Sequence, residues 1–204
     1  MSLKLITALA LAVGLSACAT VDTSTRNAPL ELPTLQASDS GTEIRRDYNL
    51  MDVVVVVPES LRASESNAYY PVADIVWRGD AIGDRHAQVA DLFKAAARDV
   101  ASDLNGSQDV YVQITVARFH GVTERTRYSV GGVYNMVFDM TIVDGAGNIV
   151  EPTRRIEADL PAPGGQAALE LEQSGQTEKV RVVDYLTFVL TRELSPALAV
   201  APRV

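Results

Sequence analysis

The amino-acid sequence predicts an α+β domain, in which two helices cover one face of a mainly antiparallel four-stranded sheet. Residues 110–116 and 134–142 alternate apolar and polar side chains, which is typical of strands with one buried face. Residues 89–104 and 180–194 repeat apolar side chains at steps of three and four, which is typical of amphipathic helices. A valine-rich stretch precedes these four segments, and a hairpin turn follows residues 134–142. Together these patterns predict the element order strand, helix, strand, strand, strand, helix.

The first predicted strand covers residues 50–57 and ends at Pro58. Positions 53–57 are all valine. A continuous β-branched run of this kind predicts a strand that is buried on both faces.

The first helix is expected to begin after Asp84, because aspartate is a favoured helix N-cap. Asn105 and Gly106 are expected to end it, since both tolerate the left-handed conformation that follows many helices. Its expected buried stripe consists of Val89, Phe93, Ala97, Val100 and Leu104.

The last two strands are expected to form a hairpin around residues 144–148, where two glycines permit a tight turn. The final strand then covers about residues 149–160. Pro152 places this strand at an edge of the sheet, because proline has no N–H to donate to a neighbouring strand.

The final helix follows a break at Pro161 and Pro163. It can begin as early as Gln166, with Gly175 as a weak point inside it. Its expected buried stripe consists of Val180, Val183, Leu186, Leu190 and Leu194.

The composition narrows the classes of partner. The chain has 204 residues with 26 acidic and 18 basic side chains, a formal net charge of −8. Nucleic-acid binding is not expected, because it requires a basic surface that displaces counterions from phosphate. The single cysteine, Cys18, excludes an internal disulfide.

The N-terminal residues predict membrane attachment. Residues 1–17 combine Lys4 with a short apolar run, which is typical of a signal peptide and too short for a transmembrane helix. The run ends in Leu15-Ser16-Ala17-Cys18, which resembles the bacterial lipobox and predicts acylation of Cys18. An ordinary secretory leader cleaved after Ala19 is the alternative. Residues 18–46 are then an acylated N-terminus and flexible tether, and residues 47–204 a single domain.

Five short strings of the sequence are distinctive: residues 19–23 after the lipobox, 69–71, 73–80, 126–128 and 131–133. Together they resemble a family of short alphaproteobacterial lipoproteins known only as a domain of unknown function. The resemblance covers most of the chain and implies a lipoprotein location and a small α+β fold, but no catalytic residue. Alanine after the cysteine implies the outer membrane in lipoproteins of this type.

The sequence contains no pattern that predicts catalysis. It has no G-x-S-x-G, P-loop or G-x-G-x-x-G motif. Its two histidines lie in no standard metal-ligand spacing. We therefore expect a protein that is not an enzyme and has no cofactor or metal site.

The connection over residues 67–85 is the first candidate site. A long connection without regular structure is often functional, and tyrosine, tryptophan and arginine dominate binding hot spots. The alternative is that Tyr70, Ile75 and Trp77 pack on the core as a lid. The candidate partner-binding residues are Tyr69, Tyr70, Trp77, Arg78, Asp80 and Arg85.

A basic cluster on this acidic chain is the second candidate site. It consists of Arg118, His120, Arg125 and Arg127. These side chains are suited to an acidic partner or a phosphorylated lipid head group. The alternative is a solvated face balanced by Glu124.

These features predict a non-catalytic lipoprotein that is anchored in the outer membrane, faces the periplasm and binds an envelope protein through residues 67–85. On this hypothesis, replacing Trp77 and Arg78 with alanine abolishes partner binding and leaves the fold intact. A small-ligand or lipid-binding module with an apolar pocket between sheet and helices is the alternative.

Overall fold

The computed structural model describes residues 46–195, which form five strands and four helices. The predicted signal peptide, Cys18, nearly all of the predicted tether and residues 196–204 lie outside the described residues. The strands are β1 (Tyr48–Val56), β2 (Ile75–Val76), β3 (Gln108–His120), β4 (Gly132–Val143) and β5 (Ile149–Ala162). The helices are α1 (Arg85–Asp103), α2 (Glu124–Arg127), α3 (Gln166–Gln173) and α4 (Glu178–Leu194).

The main strands lie in the order β1-β3-β4-β5. β3, β4 and β5 pair antiparallel, which confirms the mainly antiparallel sheet. β1 instead pairs parallel to β3. The reason is the helix between them: the 19-residue α1 returns the chain along the length of β1, so that β3 starts at the same end as β1.

The prediction that the valine-rich strand is buried on both faces is wrong. β1 lies at an edge, and Val54 and Val56 are about half exposed. Val53, Val55 and Val57, on the other face, pack against the core. The valine run therefore reflects the preference of β-branched residues for extended backbone and not burial of both faces.

The helices α1 and α4 pack on each other and cover one face of the sheet, as predicted. Asp84 caps α1 by accepting a hydrogen bond from the Ala87 N–H at 3.0 Å. The stripe expected on α1 is buried, except that Leu104 is half-buried and follows the end of the helix.

The C-terminal helical region is split. α3 ends before Gly175, which has a φ of 85°, so the weak point expected at this glycine is a break between two helices. Leu186, Leu190 and Leu194 are buried as predicted, and Val183 is half-buried. Val180 is partly exposed, contrary to prediction, because the stripe that α4 turns to the core is shifted towards Val182 and Val189.

The hairpin and the edge position of β5 are confirmed. The Asp144 side chain accepts hydrogen bonds from the N–H groups of Ala146 and Asn148 and so closes the turn. β5 is the last strand of the sheet, and Pro152 lies opposite a register shift in β4, where the ladder is interrupted.

Two short elements were not predicted, and both help to build the candidate site. β2 pairs parallel with Phe119 and His120, on the edge of β3 beyond the end of β1. α2 is a single turn capped by Thr123, whose hydroxyl accepts the Thr126 N–H at 3.2 Å. Neither is long enough to leave a periodic pattern in the sequence.

Candidate functional site

Trp77, a predicted partner-binding residue, belongs to the core. Its side chain has no exposed surface and packs edge-on against Phe119, with ring centroids 5.8 Å apart. Its indole N–H donates to Asp80 at 2.8 Å. A side chain without exposed surface cannot contact a partner. Trp77 therefore packs on the core as part of a lid, and the prediction that it binds a partner is wrong.

Asp80 is occupied by contacts within the domain. Besides the Trp77 indole it accepts a hydrogen bond from Lys179 of α4 at 2.7 Å. Partial burial acts to raise the pKa of Asp80, but the hydrogen bonds from Lys179 and Trp77 outweigh it and hold that pKa below its ordinary value. Asp80 thus ties the 67–85 connection to α4.

Arg78 and Arg85 are also internal. Both guanidinium groups bind the carboxylate of Glu65, and only about 5% and 4% of their side chains are exposed. Arg85 makes two hydrogen bonds to this carboxylate, at 2.6 and 3.0 Å. The hydrogen bond from Arg85 is the main reason that the pKa of Glu65 is lowered. These arginines fasten the long connection to α1 and are not available to a partner.

Arg127, a member of the predicted basic cluster, lies in a second internal ion pair. It binds Glu172 of α3 at 3.1 Å and Glu178 at the start of α4. Glu178 is buried and also accepts a hydrogen bond from Tyr134, and burial raises the pKa of that tyrosine. Arg127 therefore joins α2 to the C-terminal helices and does not contribute to an exposed basic surface.

The remaining candidates come together, although they belong to two separate stretches of sequence. Tyr70 stacks on His120 with ring centroids 4.4 Å apart and an interplanar angle of 25°. Arg118 donates to the Tyr70 hydroxyl at 2.7 Å. The buried His120 donates its Nε2–H to the Pro71 carbonyl at 3.0 Å, which fixes the ring beneath the tyrosine.

Tyr69 and Arg125 form a second aromatic–cation pair. The Arg125 guanidinium carbon lies 4.6 Å from the centre of the Tyr69 ring, which is a cation–π arrangement. Tyr69 is 53% exposed and Tyr70 67% exposed. The two tyrosines therefore present large aromatic surfaces to solvent, each with a guanidinium group against it.

Hydrogen bonds hold this tyrosine segment on α2. The Thr123 hydroxyl donates to the Ala68 carbonyl at 2.8 Å, and the Thr126 hydroxyl donates to the Tyr69 carbonyl at the same distance. From the other side, the Asn67 side chain accepts the Arg125 N–H at 2.8 Å. The exposed rings consequently stand on a fixed backbone, which lowers the entropy cost of binding.

A groove of about 470 Å³ opens beside these rings. Its apolar rim consists of Val130 and Val133, which are both well exposed. Gly131, between α2 and β4, has a φ of 72° and lies against the Ala162 carbonyl, where a Cβ would clash. The sequence did not indicate either valine as a binding residue, and the only signal available was their position beside Gly131-Gly132. We call this surface the tyrosine groove, and it is lined by Tyr69, Tyr70, Arg118, His120, Val130 and Val133.

The tyrosine groove, together with Arg125 beside it, concentrates positive charge on an acidic protein. Within residues 46–195, neither Arg118 nor Arg125 has a carboxylate partner, and their contacts are with tyrosine. Arg78, Arg85 and Arg127 are all bound to glutamates. A guanidinium has five donors, so Arg118 retains donors for an incoming carboxylate or phosphate.

The described residues give no indication of a metal centre or a membrane span. Among residues 46–195, no group of three or more histidine, aspartate or glutamate side chains has a geometry that holds a metal. None of the helices in this part of the chain combines the length and the apolar character needed to cross a bilayer.

A family model for a family of unknown function, DUF6778, matches residues 48–203. The chain belongs to this family. The match begins at β1 and includes both stretches that build the tyrosine groove, which confirms the expected membership of an uncharacterised family. No curated protein sequence matches the chain.

Three solved structures are distantly similar. A DUF330 protein from Xanthomonas campestris is 13% identical over 74% of this chain and 84% of its own, with a TM-score of 0.43. A presumed lipoprotein from Caulobacter crescentus is 18% identical over 52% of this chain and 82% of its own, with a TM-score of 0.27. A minor lipoprotein from Acinetobacter baumannii is 13% identical over 72% of this chain and 95% of its own, with a TM-score of 0.32. Similarities at this level do not establish a shared function.

Proposed function

We propose that this DUF6778 member is a non-catalytic envelope lipoprotein that binds an envelope protein through the tyrosine groove. The observation that carries the proposal is the pairing of two exposed tyrosines with Arg118 and Arg125, which have no carboxylate partner in the described part of the chain. Tyrosine and arginine are enriched in binding hot spots because each combines a large contact area with directional polar groups.

The chemistry of the groove favours an acidic partner surface. Arg118 and Arg125 supply donors for carboxylates, while the tyrosine rings and the two rim valines supply apolar contact area. The domain carries a net negative charge, so this local positive surface also orients an acidic partner as it approaches.

Acylation of Cys18 is the proposed means of attachment to the outer membrane, on its periplasmic side, as in the alphaproteobacterial lipoproteins that the sequence resembles. Two or more acyl chains anchor a protein stably, because each buried CH₂ contributes about 0.8 kcal/mol. We expect the native protein to carry the mass of a diacylglycerol with or without a further acyl chain at Cys18, and to enter the detergent phase on phase separation. A Cys18→Ser variant should remain aqueous. An unmodified wild-type chain beginning at Thr20 would contradict lipidation.

The groove is tested by removing its cations. We expect the double variant Arg118→Ala and Arg125→Ala to reduce co-purification of the partner protein at least tenfold, since arginine hot spots contribute about 2 kcal/mol or more. Arg155→Ala with Arg192→Ala is the matched control, because it changes the net charge equally at two exposed arginines on β5 and α4. Equal loss of partner in both double variants would show a general charge effect and contradict the proposal.

Binding of a small amphipathic anion is the second candidate function, and the volume of the groove supports it. About 470 Å³ is within the range of small-molecule sites, and the groove joins apolar rim residues to the guanidinium group of Arg118. Arg125 lies next to the groove, against the Tyr69 ring. Native mass spectrometry of the wild-type protein should then show a co-purified anionic lipid or metabolite that is absent from the Arg118→Ala, Arg125→Ala variant.

A further inference from the structure

A second groove, the β1–α1 groove, lies between β1 and α1. It has a volume of about 360 Å³ and shares no lining residue with the tyrosine groove. Leu50 and Val53 line it from the strand, and Ala97 and Ala101 line it from the helix. Because both helix positions carry only a methyl group, α1 leaves the flank of the edge strand uncovered.

The edge of β1 is open for pairing. Within residues 46–195, β1 pairs with β3 on one side and with no strand on the other. Edge strands are usually protected by lysine, proline or irregular backbone. In β1 the protection is limited to Asp52 and the register shift beside it, and residues 53–56 are all valine. These residues offer an extended backbone to a further strand.

The helix side of the groove is basic. Lys94 and Arg98 line it, and both are exposed. Lys94 has a long contact of 3.8 Å with Asp91, and Arg98 has no carboxylate partner among the described residues. Asp52 is the acidic residue of the lining, and its side chain accepts the Val53 N–H at 2.8 Å. A strand added to β1 would therefore lie next to the guanidinium group of Arg98, whose charge no carboxylate of the described residues balances.

This charge distinguishes between the possible occupants. A second copy of the chain that paired through β1 would bring two sets of Lys94 and Arg98 towards each other against a single Asp52 from each copy, so the two linings remain net positive and repel. It would also present Val53 and Val55, which already pack against their own core and cannot enter the groove. An extended segment with acidic and small apolar side chains meets both requirements, because it fills the groove and pairs with Arg98.

We propose that the β1–α1 groove binds an extended acidic segment of a partner protein, which adds as a strand to the free edge of β1. Backbone hydrogen bonds to β1 supply affinity, as in other cases of strand addition. The alternate side chains that face the helix layer supply specificity: a small apolar residue contacts Ala97 and Ala101, and a carboxylate meets Arg98. This surface is independent of the tyrosine groove and does not require the function proposed for it.

The test uses the full lipidated chain in detergent micelles and two fluorescent heptapeptides. The probe is Thr-Val-Thr-Glu-Thr-Val-Thr, and its matched control has lysine in place of glutamate. We expect the wild-type protein to bind the glutamate peptide at least about tenfold more tightly, because the central carboxylate pairs with Arg98. Binding should also slow amide hydrogen exchange at residues 53–56, which form the open edge.

Two variants identify the groove. Arg98→Glu should reverse the preference, so that the lysine peptide becomes the tighter ligand, while the exposed position leaves the fold unchanged. Ala101→Leu should weaken both peptides by filling the groove. The proposal is overturned by absence of saturable binding to the glutamate peptide, by a preference that Arg98→Glu does not alter, or by protection of residues 53–56 that rises with protein concentration alone, which would assign the edge to a second copy.

Discussion

Replacing Trp77 with alanine is expected to lower the free energy of unfolding by about 3–5 kcal/mol. The indole is fully buried against Phe119 and Tyr134, so the substitution leaves a large cavity in the core. It also removes the donor to Asp80. Urea unfolding followed by circular dichroism measures the change.

Tyr70→Ala is the matched control for this substitution. Tyr70 is also a large aromatic residue of the 67–85 connection, but most of its surface is exposed, so truncation should cost far less than at Trp77. A Trp77→Ala variant as stable as Tyr70→Ala would contradict the burial of the indole. The expectation that replacing Trp77 with alanine leaves the fold intact is therefore wrong. If such a variant loses its partner, the loss reflects damage to the fold and not the removal of a binding contact.

Replacing Glu151 is expected to have the second largest effect. This buried carboxylate accepts hydrogen bonds from Arg46 at 2.8 and 3.0 Å, from the Tyr48 hydroxyl at 2.7 Å and from Arg154. It joins β5 to the start of β1, although the two strands are at opposite edges of the sheet. Glu151→Gln should cost about 3 kcal/mol at neutral pH, because it leaves Arg46 without its anion and leaves Arg154 with Glu193 alone.

The effect should depend on pH. Burial acts to raise the pKa of Glu151, but the hydrogen bonds from Arg46 and Tyr48 and the charge of Arg154 outweigh it, so the folded-state pKa is lower than the unfolded one. This carboxylate therefore contributes stability above its unfolded pKa of about 4.3, and the contribution is lost as the pH falls through the lower folded value. The stability difference between wild type and Glu151→Gln should shrink between about pH 5 and pH 3. A difference that stays constant over this interval would contradict the ion-pair account.

The main elements of the fold were predictable because each has a local cause. Asp84 supplies a helix cap, and the Asp144 turn closes a hairpin through its own side chain. The parallel pairing of β1 depends instead on the path of α1, and Val54 and Val56 are exposed because no element within residues 46–195 covers them. Neither cause is encoded in the valine run itself.

The candidate site was predictable only in part. The sequence indicated tyrosine and arginine as binding residues, yet it could not separate exposed side chains from buried ones of the same type. Arg78 is buried because Glu65, 13 positions earlier, binds it. Tyr70 and Arg118 meet because β2 places the 67–85 connection next to the end of β3, across 48 positions. Contacts at such separations follow from tertiary packing and leave no periodic signal.

The most direct test of partner binding through the tyrosine groove is site-specific photo-crosslinking in intact cells. A benzophenone amino acid replaces Tyr69 in the groove or, as a control, the exposed Phe188 on α4. The proposal predicts a discrete protein adduct at position 69 that disappears when Arg118 and Arg125 are changed to alanine, and no such adduct at position 188. Absence of an adduct at position 69, or an adduct that persists without the two arginines, would contradict it.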